Sequence, residues 1–307
     1  MLVCIFLVDT AQSIDKEIHP LITDHAIKQY NLCATTIGLP KYSDRHAKII
    51  SEYSGKEDDV TLDRVLNWHF YDHYRDSDYA MSAHKSLHRI FKERIHSLES
   101  ALKLSNDEDF YESAGRILHY IQDMAIPAHV APNYHAKAEK KWQKIFVRNE
   151  PDSLDILMNP NNFTYVIAPG RCELLYELNE KKNEEYSNSQ NIYFSLLQDL
   201  LVTFAENTRK EIVETKFPGS KYTFEEEFWI LRSPEQEHSY PGSIKKGFAP
   251  YGKYNDRERF NLDSGICIEY DNGDLCKAFI AKRYRETIDF TIRVLMYISD
   301  FWNSYKH

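Results

Sequence analysis

The sequence predicts an all-α fold, a multi-helix bundle that forms one domain over residues 14–307. Apolar residues recur at three- and four-residue intervals over several long segments, which is typical of amphipathic helices. Proline and glycine residues interrupt this pattern between the segments. A chain of 307 residues with 42% hydrophobic residues can bury a sizeable core, and its sequence contains no internal repeat or clear domain boundary.

The predicted helices follow from this periodicity in chain order. Gly38-Leu39-Pro40 ends the first helix, and Pro127 ends the helix that carries His119. We predict helices over residues 18–37, from Ser43 to about Glu52, 79–102, 107–124, through Glu139 toward Val147, about 190–216, and 274–304. Segment 149–170 is predicted to be a loop and region 217–273 to be irregular, and 149–190 and 217–270 are interpreted as insertions or divergent loops. The turn signal Asp271-Asn272-Gly273 indicates one small hairpin.

The first thirteen residues are interpreted as the end of a secretory signal peptide. Eight apolar residues, Met1–Val8, precede small residues that would permit cleavage after Ser13. A buried first strand is the alternative interpretation. Removal of this segment would leave four cysteines, an even number that permits disulfides in an oxidising compartment. Cys267 and Cys276 flank the hairpin turn and are the pair expected if a bond forms. From the signal-like segment and the even number of remaining cysteines, we expect a secreted or periplasmic protein.

Charge and hydropathy limit the partners of the protein. The net charge of -9 argues against nucleic acid as the main partner, because proteins that bind a phosphate backbone usually carry a basic face. The sequence contains no run of 18 or more apolar residues, so it predicts no membrane-spanning helix. The 21 Tyr and 16 Phe residues would suit an apolar substrate cleft, but packing in the core and on the surface is the favoured explanation.

The segment 115–139 contains five potential metal ligands at helical spacing. His119 and Asp123 are four residues apart, as are His135 and Glu139, and His129 lies between the two pairs. Residues four apart lie on one face of an α-helix, so the two pairs can point into one cavity. Imidazole and carboxylate ligands without a thiolate suit a catalytic zinc site.

Three further candidates lie upstream of this segment. His25 lies on the first helix, Asp58 and Asp59 lie in an acidic loop, and His69 opens His69-Phe70-Tyr71-Asp72. With one of the two aspartates, the candidates number eight. A catalytic zinc ion takes three protein ligands, so eight residues are one fewer than the number of ligands that three ions need. A bridging carboxylate or an α-amino group would complete the set.

These motifs resemble the zinc-dependent phospholipase C family of bacteria, whose members are helical bundles around three zinc ions. The resemblance is carried by His69-Phe70-Tyr71-Asp72, by His119 to Asp123 with the following Pro127-Ala128-His129, and by His135 to Glu139. Thr23 to Ile27 is similar to the N-terminal histidine segment of the family. The last predicted helix is similar to the closing helix of the family.

The resemblance implies a ligand set for three zinc ions. His69 and His119 would hold one ion together with Asp58, which we favour over Asp59. Asp123 would bridge this ion to a second one, to which His25 would also bind. The amino group of the mature N-terminus would complete the ligand set of the second ion, and His19 would be a substitute ligand if the chain is not cleaved. The third ion would take His129, His135 and Glu139.

The resemblance also implies the reaction. A zinc-bound hydroxide would attack the phosphodiester of a phospholipid and release diacylglycerol and a phosphorylated head group, with Asp58 steering or deprotonating the water. We expect a monomer with transient contact to a membrane surface and no nucleic-acid partner.

Two alternative functions remain open. The first is a single-strand nuclease or nucleotidase on the same three-zinc scaffold. That family usually has Asp at the position of Glu139, so this residue and the acidic net charge favour the phospholipase. The second is a helical zinc-binding protein without enzymatic activity, whose structural site would be closed by four protein ligands, often including cysteine.

Overall fold

The computed structural model describes residues 18–59, 71, 85–130, 172–185, 190–214 and 274–306, and these ranges form an all-α fold without a β-strand. The fold class predicted from the sequence is therefore confirmed. The helices are α1 (Ile18–Ile37), α2 (Asp44–Lys56), α3 (Leu87–Lys103), α4 (Asp107–Asp123), α5 (Pro127–Val130), α6 (Cys172–Glu185), α7 (Gln190–Glu214) and α8 (Asp274–Lys306).

Helix boundaries follow the capping residues. Helix α1 has the predicted bounds, and α2 begins after Ser43, whose hydroxyl accepts a hydrogen bond from the backbone N–H of His46. Helix α2 continues to Lys56, beyond the predicted end at Glu52. The predicted start of the third helix at residue 79 was too early. Helix α3 begins at Leu87 because the preceding Ser86 caps its first turn.

Helix α6 was not predicted from the sequence. Among its described side chains, Leu175 is buried, whereas Glu173, Tyr176 and Glu177 are exposed. Among the described side chains of α6, the apolar stripe on which the prediction relies is therefore short. Several other predictions lie outside the described residues: the N-terminal signal segment, the helix beyond Val130, the loops 149–170 and 217–273, the hairpin, and the Cys267–Cys276 pair.

Helix α4 lies at the centre of the bundle. Residues from Ile117 through Asp123 are all buried, including the polar residues His119 and Gln122. A helix that is buried on every side must be covered by neighbours around its whole circumference. Here the neighbours include α2, α3, α8 and α1. Polar groups on this part of α4 therefore have to find partners inside the protein.

Helix α8 is the longest of the described helices, with 33 residues, and it packs against α1, α4 and α7. Two of its buried threonines, Thr287 and Thr291, each donate a hydrogen bond to the carbonyl four residues earlier, at 2.7 Å in both cases. This arrangement accommodates a polar hydroxyl inside the bundle. Within the described ranges, no helix combines the length and the apolarity that a membrane span needs.

Gly115 allows α2 to approach α4 closely. A Cβ atom at this position would lie 2.4 Å from the carbonyl oxygen of Ile50, 2.8 Å from Cβ of Tyr53 and 3.0 Å from the backbone nitrogen of Ser54. Two of these three atoms belong to the backbone of α2, which cannot turn aside as a flexible side chain could. Any larger residue would therefore push the two helices apart.

We expect Gly115→Ala to destabilise the protein by about 1–3 kcal/mol, the usual cost of overpacking. Helix propensity alone would favour alanine by roughly 0.5–1 kcal/mol, so the sign of the change separates steric crowding from propensity. Urea unfolding monitored by circular dichroism measures the difference. Gly38→Ala is the comparison for backbone strain without crowding, because Gly38 has a φ of +73° and nothing lies within 4 Å of the added Cβ. Equal or greater stability of Gly115→Ala would contradict the close approach.

A disulfide joins Cys33 of α1 to Cys172 at the start of α6, across 139 residues of sequence. A cross-link over so long a segment restricts the unfolded chain strongly, which raises the free energy of unfolding. Helix α6 has few buried side chains of its own among those described, so the disulfide contributes to holding it against α1.

We expect loss of this disulfide to lower the free energy of unfolding by about 2–5 kcal/mol. The measurement compares urea unfolding of the protein with and without a phosphine reductant. The double variant Cys33→Ser, Cys172→Ser is the control, and its stability should not change on reduction. A wild-type protein whose stability is insensitive to the reductant would exclude the bond.

Candidate metal centre

A buried group of histidine and aspartate side chains lies where α1, α4 and the end of α2 meet. His19 of α1, Asp58 after α2 and His119 of α4 each contribute one potential ligand atom, and these atoms lie within 4.8 Å of one another. Asp123 lies one turn beyond His119 and contacts both imidazoles. We call His19, Asp58, His119 and Asp123 the buried His–Asp cluster. His19, Asp58 and His119 could hold a metal ion.

Both imidazoles point their Nε2 atoms at both carboxylates. His119 Nε2 lies 3.3 Å from Asp123 Oδ2 and 3.7 Å from Asp58 Oδ1. His19 Nε2 lies 3.4 Å from Asp123 Oδ1 and 3.7 Å from Asp58 Oδ2. Direct charge-assisted hydrogen bonds are shorter, at about 2.7–2.9 Å. The four side chains are therefore spaced like ligands of a shared ion rather than like ion pairs joined by short hydrogen bonds.

The backbone of α2 determines which nitrogen of His119 faces the carboxylates. His119 Nδ1 donates a hydrogen bond of 3.0 Å to the carbonyl oxygen of Ser54. A carbonyl can only accept, so Nδ1 carries the hydrogen and Nε2 is the atom available to a metal ion. Metal-binding histidines commonly donate their other ring N–H to a carbonyl in this way. The close approach at Gly115 brings this carbonyl within reach of His119.

The buried carboxylates of the cluster and the imidazoles beside them shift each other's pKa values. Burial alone lowers the pKa of His119, but the carboxylates of Asp123 and Asp58 outweigh this effect and raise it to about 9. Burial raises the pKa of Asp123, but His119 and His129 outweigh it and hold the pKa well below its usual range. A proton on His119 or a metal ion in its place balances the carboxylates.

Glu57 fixes the turn that carries Asp58. It is buried, and its carboxylate accepts hydrogen bonds from Arg116 at 2.7 Å, Tyr120 at 2.7 Å and Arg94 at 3.0 Å. Burial raises the pKa of Glu57, but the Arg94 guanidinium, His119 and Arg116 outweigh it and lower the pKa to about 2. The segment after α2 is thereby tied to both α3 and α4, which holds Asp58 in place.

His129 adjoins the cluster from α5. It is buried, and its Nδ1 atom lies 3.7 Å from Asp123 Oδ2. Its carbonyl accepts a hydrogen bond of 2.6 Å from the backbone N–H of Tyr71, and the Tyr71 hydroxyl donates to Glu206 of α7. Asp123 therefore contacts His19 through one oxygen, and His119 and His129 through the other.

The structure brings together three of the predicted ligands, Asp58, His119 and Asp123, with His129 beside them. Asp58, rather than the partly exposed Asp59, enters the cluster. The predicted ligands His69, His135 and Glu139 lie outside the described residues.

The structure does not place His25 in the cluster. His25 is partly buried, and its Nδ1 atom lies 2.8 Å from the Tyr284 hydroxyl. His19, which the sequence suggested only as a substitute ligand, takes part instead. The apolar pattern of α1 contains the signal, because His19 shares a buried stripe with Ile22, Thr23 and Ala26.

Comparison with known proteins provides no family assignment. No family model matches the chain, and no curated protein or solved structure matches it either. The features of the chain that indicate a function are therefore the buried His–Asp cluster and the sequence motifs around it. The resemblance to zinc-dependent phospholipases C stays a prediction.

We expect metal affinity to rise with pH up to about 9. Because the pKa of His119 is raised to about 9, the ring carries a second proton at neutral pH in the absence of metal. A metal ion must displace that proton from Nε2, so each pH unit below 9 should weaken apparent affinity by up to about tenfold. Competition with a chromophoric chelator between about pH 6 and pH 9 measures this. An affinity independent of pH across that range would contradict the charge balance.

The same pKa predicts how stability changes with pH in the metal-free protein. Burial lowers the pKa of His119, but the carboxylates of Asp123 and Asp58 outweigh it and raise the folded-state pKa above its ordinary value of 6.5, so protonation of His119 stabilises the fold fully below about pH 6.5. That contribution is lost as the pH rises through about 9. The midpoint of thermal unfolding should therefore fall over this interval, and saturating zinc should reduce the fall. An unchanged or rising midpoint would contradict the assignment.

Proposed function

We propose that this protein is a zinc-dependent phosphodiester hydrolase that acts on phospholipids. The observation that carries the proposal is the buried group of His19, Asp58 and His119, with Asp123 against both imidazoles. Two imidazoles and one carboxylate, those of His19, His119 and Asp58, form the three-ligand set typical of catalytic zinc. The motif resemblance to bacterial zinc-dependent phospholipases C supports the choice of substrate.

The spacing of the ligand atoms supports zinc in particular. Zn–N and Zn–O bonds of about 2.0–2.2 Å in a tetrahedral site separate neighbouring ligand atoms by about 3.3–3.6 Å. The four N···O distances in the cluster are 3.3, 3.4, 3.7 and 3.7 Å, so two lie in this range and two lie about 0.1 Å beyond it. Calcium and magnesium favour sites built from oxygen alone. The imidazoles and the spacing therefore both favour zinc.

Two of the cluster residues would have distinct roles in hydrolysis. Zinc, when bound, lowers the pKa of water and offsets negative charge on a phosphodiester. The resemblance assigns to Asp58 the role of orienting the attacking water and accepting its proton. Asp123 would stay ionised throughout, because its pKa is held well below the usual range.

The proposal includes three zinc ions. His19, Asp58 and His119 account for one ion. The position of Asp123 supports a second, because its Oδ2 atom lies 3.7 Å from Nδ1 of His129, an imidazole that the first ion does not use. A carboxylate in this position can bridge two ions. The motifs that contain His69, His135 and Glu139 would supply the remaining ligands.

We further propose that the protein is secreted or periplasmic and acts as a monomer with transient membrane contact. The Cys33–Cys172 disulfide supports export, because structural disulfides persist mainly in oxidising compartments. The net charge of -9 supports a lipid rather than a nucleic-acid substrate.

The direct test measures release of a phosphorylated head group from phosphatidylcholine micelles by the purified full chain. We expect activity that stops on addition of a chelator and returns with zinc. Single-stranded DNA is the parallel substrate: cleavage of DNA without cleavage of lipid would replace this proposal with a nuclease on the same scaffold. A protein that binds zinc but cleaves neither substrate would be a non-enzymatic zinc protein, and failure to bind zinc would end the proposal.

Asp123→Ala should be the most damaging single substitution, because Asp123 contacts three imidazoles. We expect phospholipid hydrolysis to fall by at least about 100-fold, together with a loss of bound zinc measured by metal analysis of the dialysed protein. Asp109→Ala is the matched control on the same helix, since Asp109 is exposed in the first turn of α4 and should retain full activity. Wild-type activity in Asp123→Ala would refute its assignment.

A further inference from the structure

We propose that Gln122 is a positioning residue that fixes the ring of His19 with Nε2 turned toward the carboxylates. This inference rests on the proposed metal site. Gln122 is 0% exposed, and its side-chain oxygen lies 2.8 Å from His19 Nδ1. Its side-chain nitrogen lies 2.9 Å from the hydroxyl of Thr23 and 3.4 Å from that of Thr291. The amide thus connects α4 to α1 and α8 in a region closed to solvent.

The direction of these hydrogen bonds follows from a helix carbonyl of α2. The Ser54 hydroxyl donates to the carbonyl oxygen of Ser51 at 2.7 Å, which uses its only proton. Ser54 must therefore accept the 3.0 Å hydrogen bond that joins it to Thr23. The Thr23 hydroxyl donates its proton to Ser54, so toward Gln122 it can only accept.

A second carbonyl, in α8, leads to the same result. The Thr291 hydroxyl donates to the carbonyl of Thr287 at 2.7 Å, so it can also only accept from Gln122. Both threonines therefore require the NH2 group of Gln122, and the amide oxygen must face His19. An amide oxygen cannot donate, so the hydrogen between Gln122 and His19 belongs to His19 Nδ1.

The consequence for His19 is a fixed tautomer. When Nδ1 carries the hydrogen of the neutral ring, the lone pair lies on Nε2, which faces Asp123 Oδ1 at 3.4 Å and Asp58 Oδ2 at 3.7 Å. This is the form that a metal ion requires. His119 adopts the same tautomer because of a backbone carbonyl. His19 adopts it because of the Gln122 side chain, which threonines of α1 and α8 orient.

The first experiment measures zinc affinity of the full chain by competition with a chromophoric chelator. Gln122→Leu should bind zinc about 10–100-fold more weakly than wild type, the usual effect of removing a partner that orients a ligand. Gln122→Glu should bind more tightly than Gln122→Leu, because it retains an acceptor for His19 Nδ1, and the Thr23 and Thr291 hydroxyls can turn to donate to its other oxygen. The matched control is Gln29→Leu, which removes an equally buried glutamine of α1 that contacts Cys33 and not the cluster.

The outcomes separate this inference from the proposed function. If Gln122→Leu binds zinc within about threefold of wild type, or if Gln122→Glu is as weak as Gln122→Leu, the role of Gln122 is overturned. If Gln29→Leu weakens binding as much as Gln122→Leu, the effect is one of general stability, and the role is likewise overturned. If no form of the protein binds zinc, the proposed function fails, and the second experiment decides the role of Gln122.

The second experiment does not depend on metal. In protein labelled with nitrogen-15, we expect a slowly exchanging Nδ1–H proton of His19 in the wild type, in Gln29→Leu and in Gln122→Glu. The signal should be lost in Gln122→Leu, while the amide spectrum stays that of a folded protein. Absence of the signal from wild type, or its persistence in Gln122→Leu, would overturn the inference.

Discussion

Two carboxylates, Asp58 and Asp123, are buried within reach of the same two imidazoles, and the surrounding structure depends on balancing their charge. Burying an uncompensated carboxylate costs several kcal/mol, so a positive charge must lie between them. A proton on His119, whose pKa is raised to about 9, can supply it, and so can a metal ion. The same arrangement thus links the stability of the bundle to the chemistry that we propose for it.

Close helix packing supplies the partners that hold this cluster. Gly115 lets α2 approach α4, which brings the Ser54 carbonyl to His119 and places the following turn, with Asp58, beside it. Glu57 then ties that turn to arginines of α3 and α4. Each contact depends on the separation of the helices, so a small change in packing would move a ligand as well as reduce stability.

The sequence predicted features that depend on neighbouring residues, but it did not predict contacts between residues that are far apart in the chain. Periodicity and breakers placed α1, α4, α7 and α8, and helical spacing selected His119 and Asp123. The resemblance favoured His25 over His19 as a ligand. The two residues are six positions apart, which corresponds to a rotation of about 240° around the helix axis, so their side chains face different directions. The partners of Gln122 lie on α1 and α8, and the Cys33–Cys172 pairing spans 139 residues, so neither is encoded locally.

The central claim is that His19, Asp58 and His119 hold a zinc ion at the meeting point of α1, α2 and α4. An anomalous difference map, recorded at the zinc absorption edge from crystals of the zinc-loaded protein, tests it most directly. The account predicts a peak about 2.0–2.2 Å from Nε2 of His19, Nε2 of His119 and a carboxylate oxygen of Asp58. A peak bound to His25 instead, or no peak between His19 and His119, would contradict it.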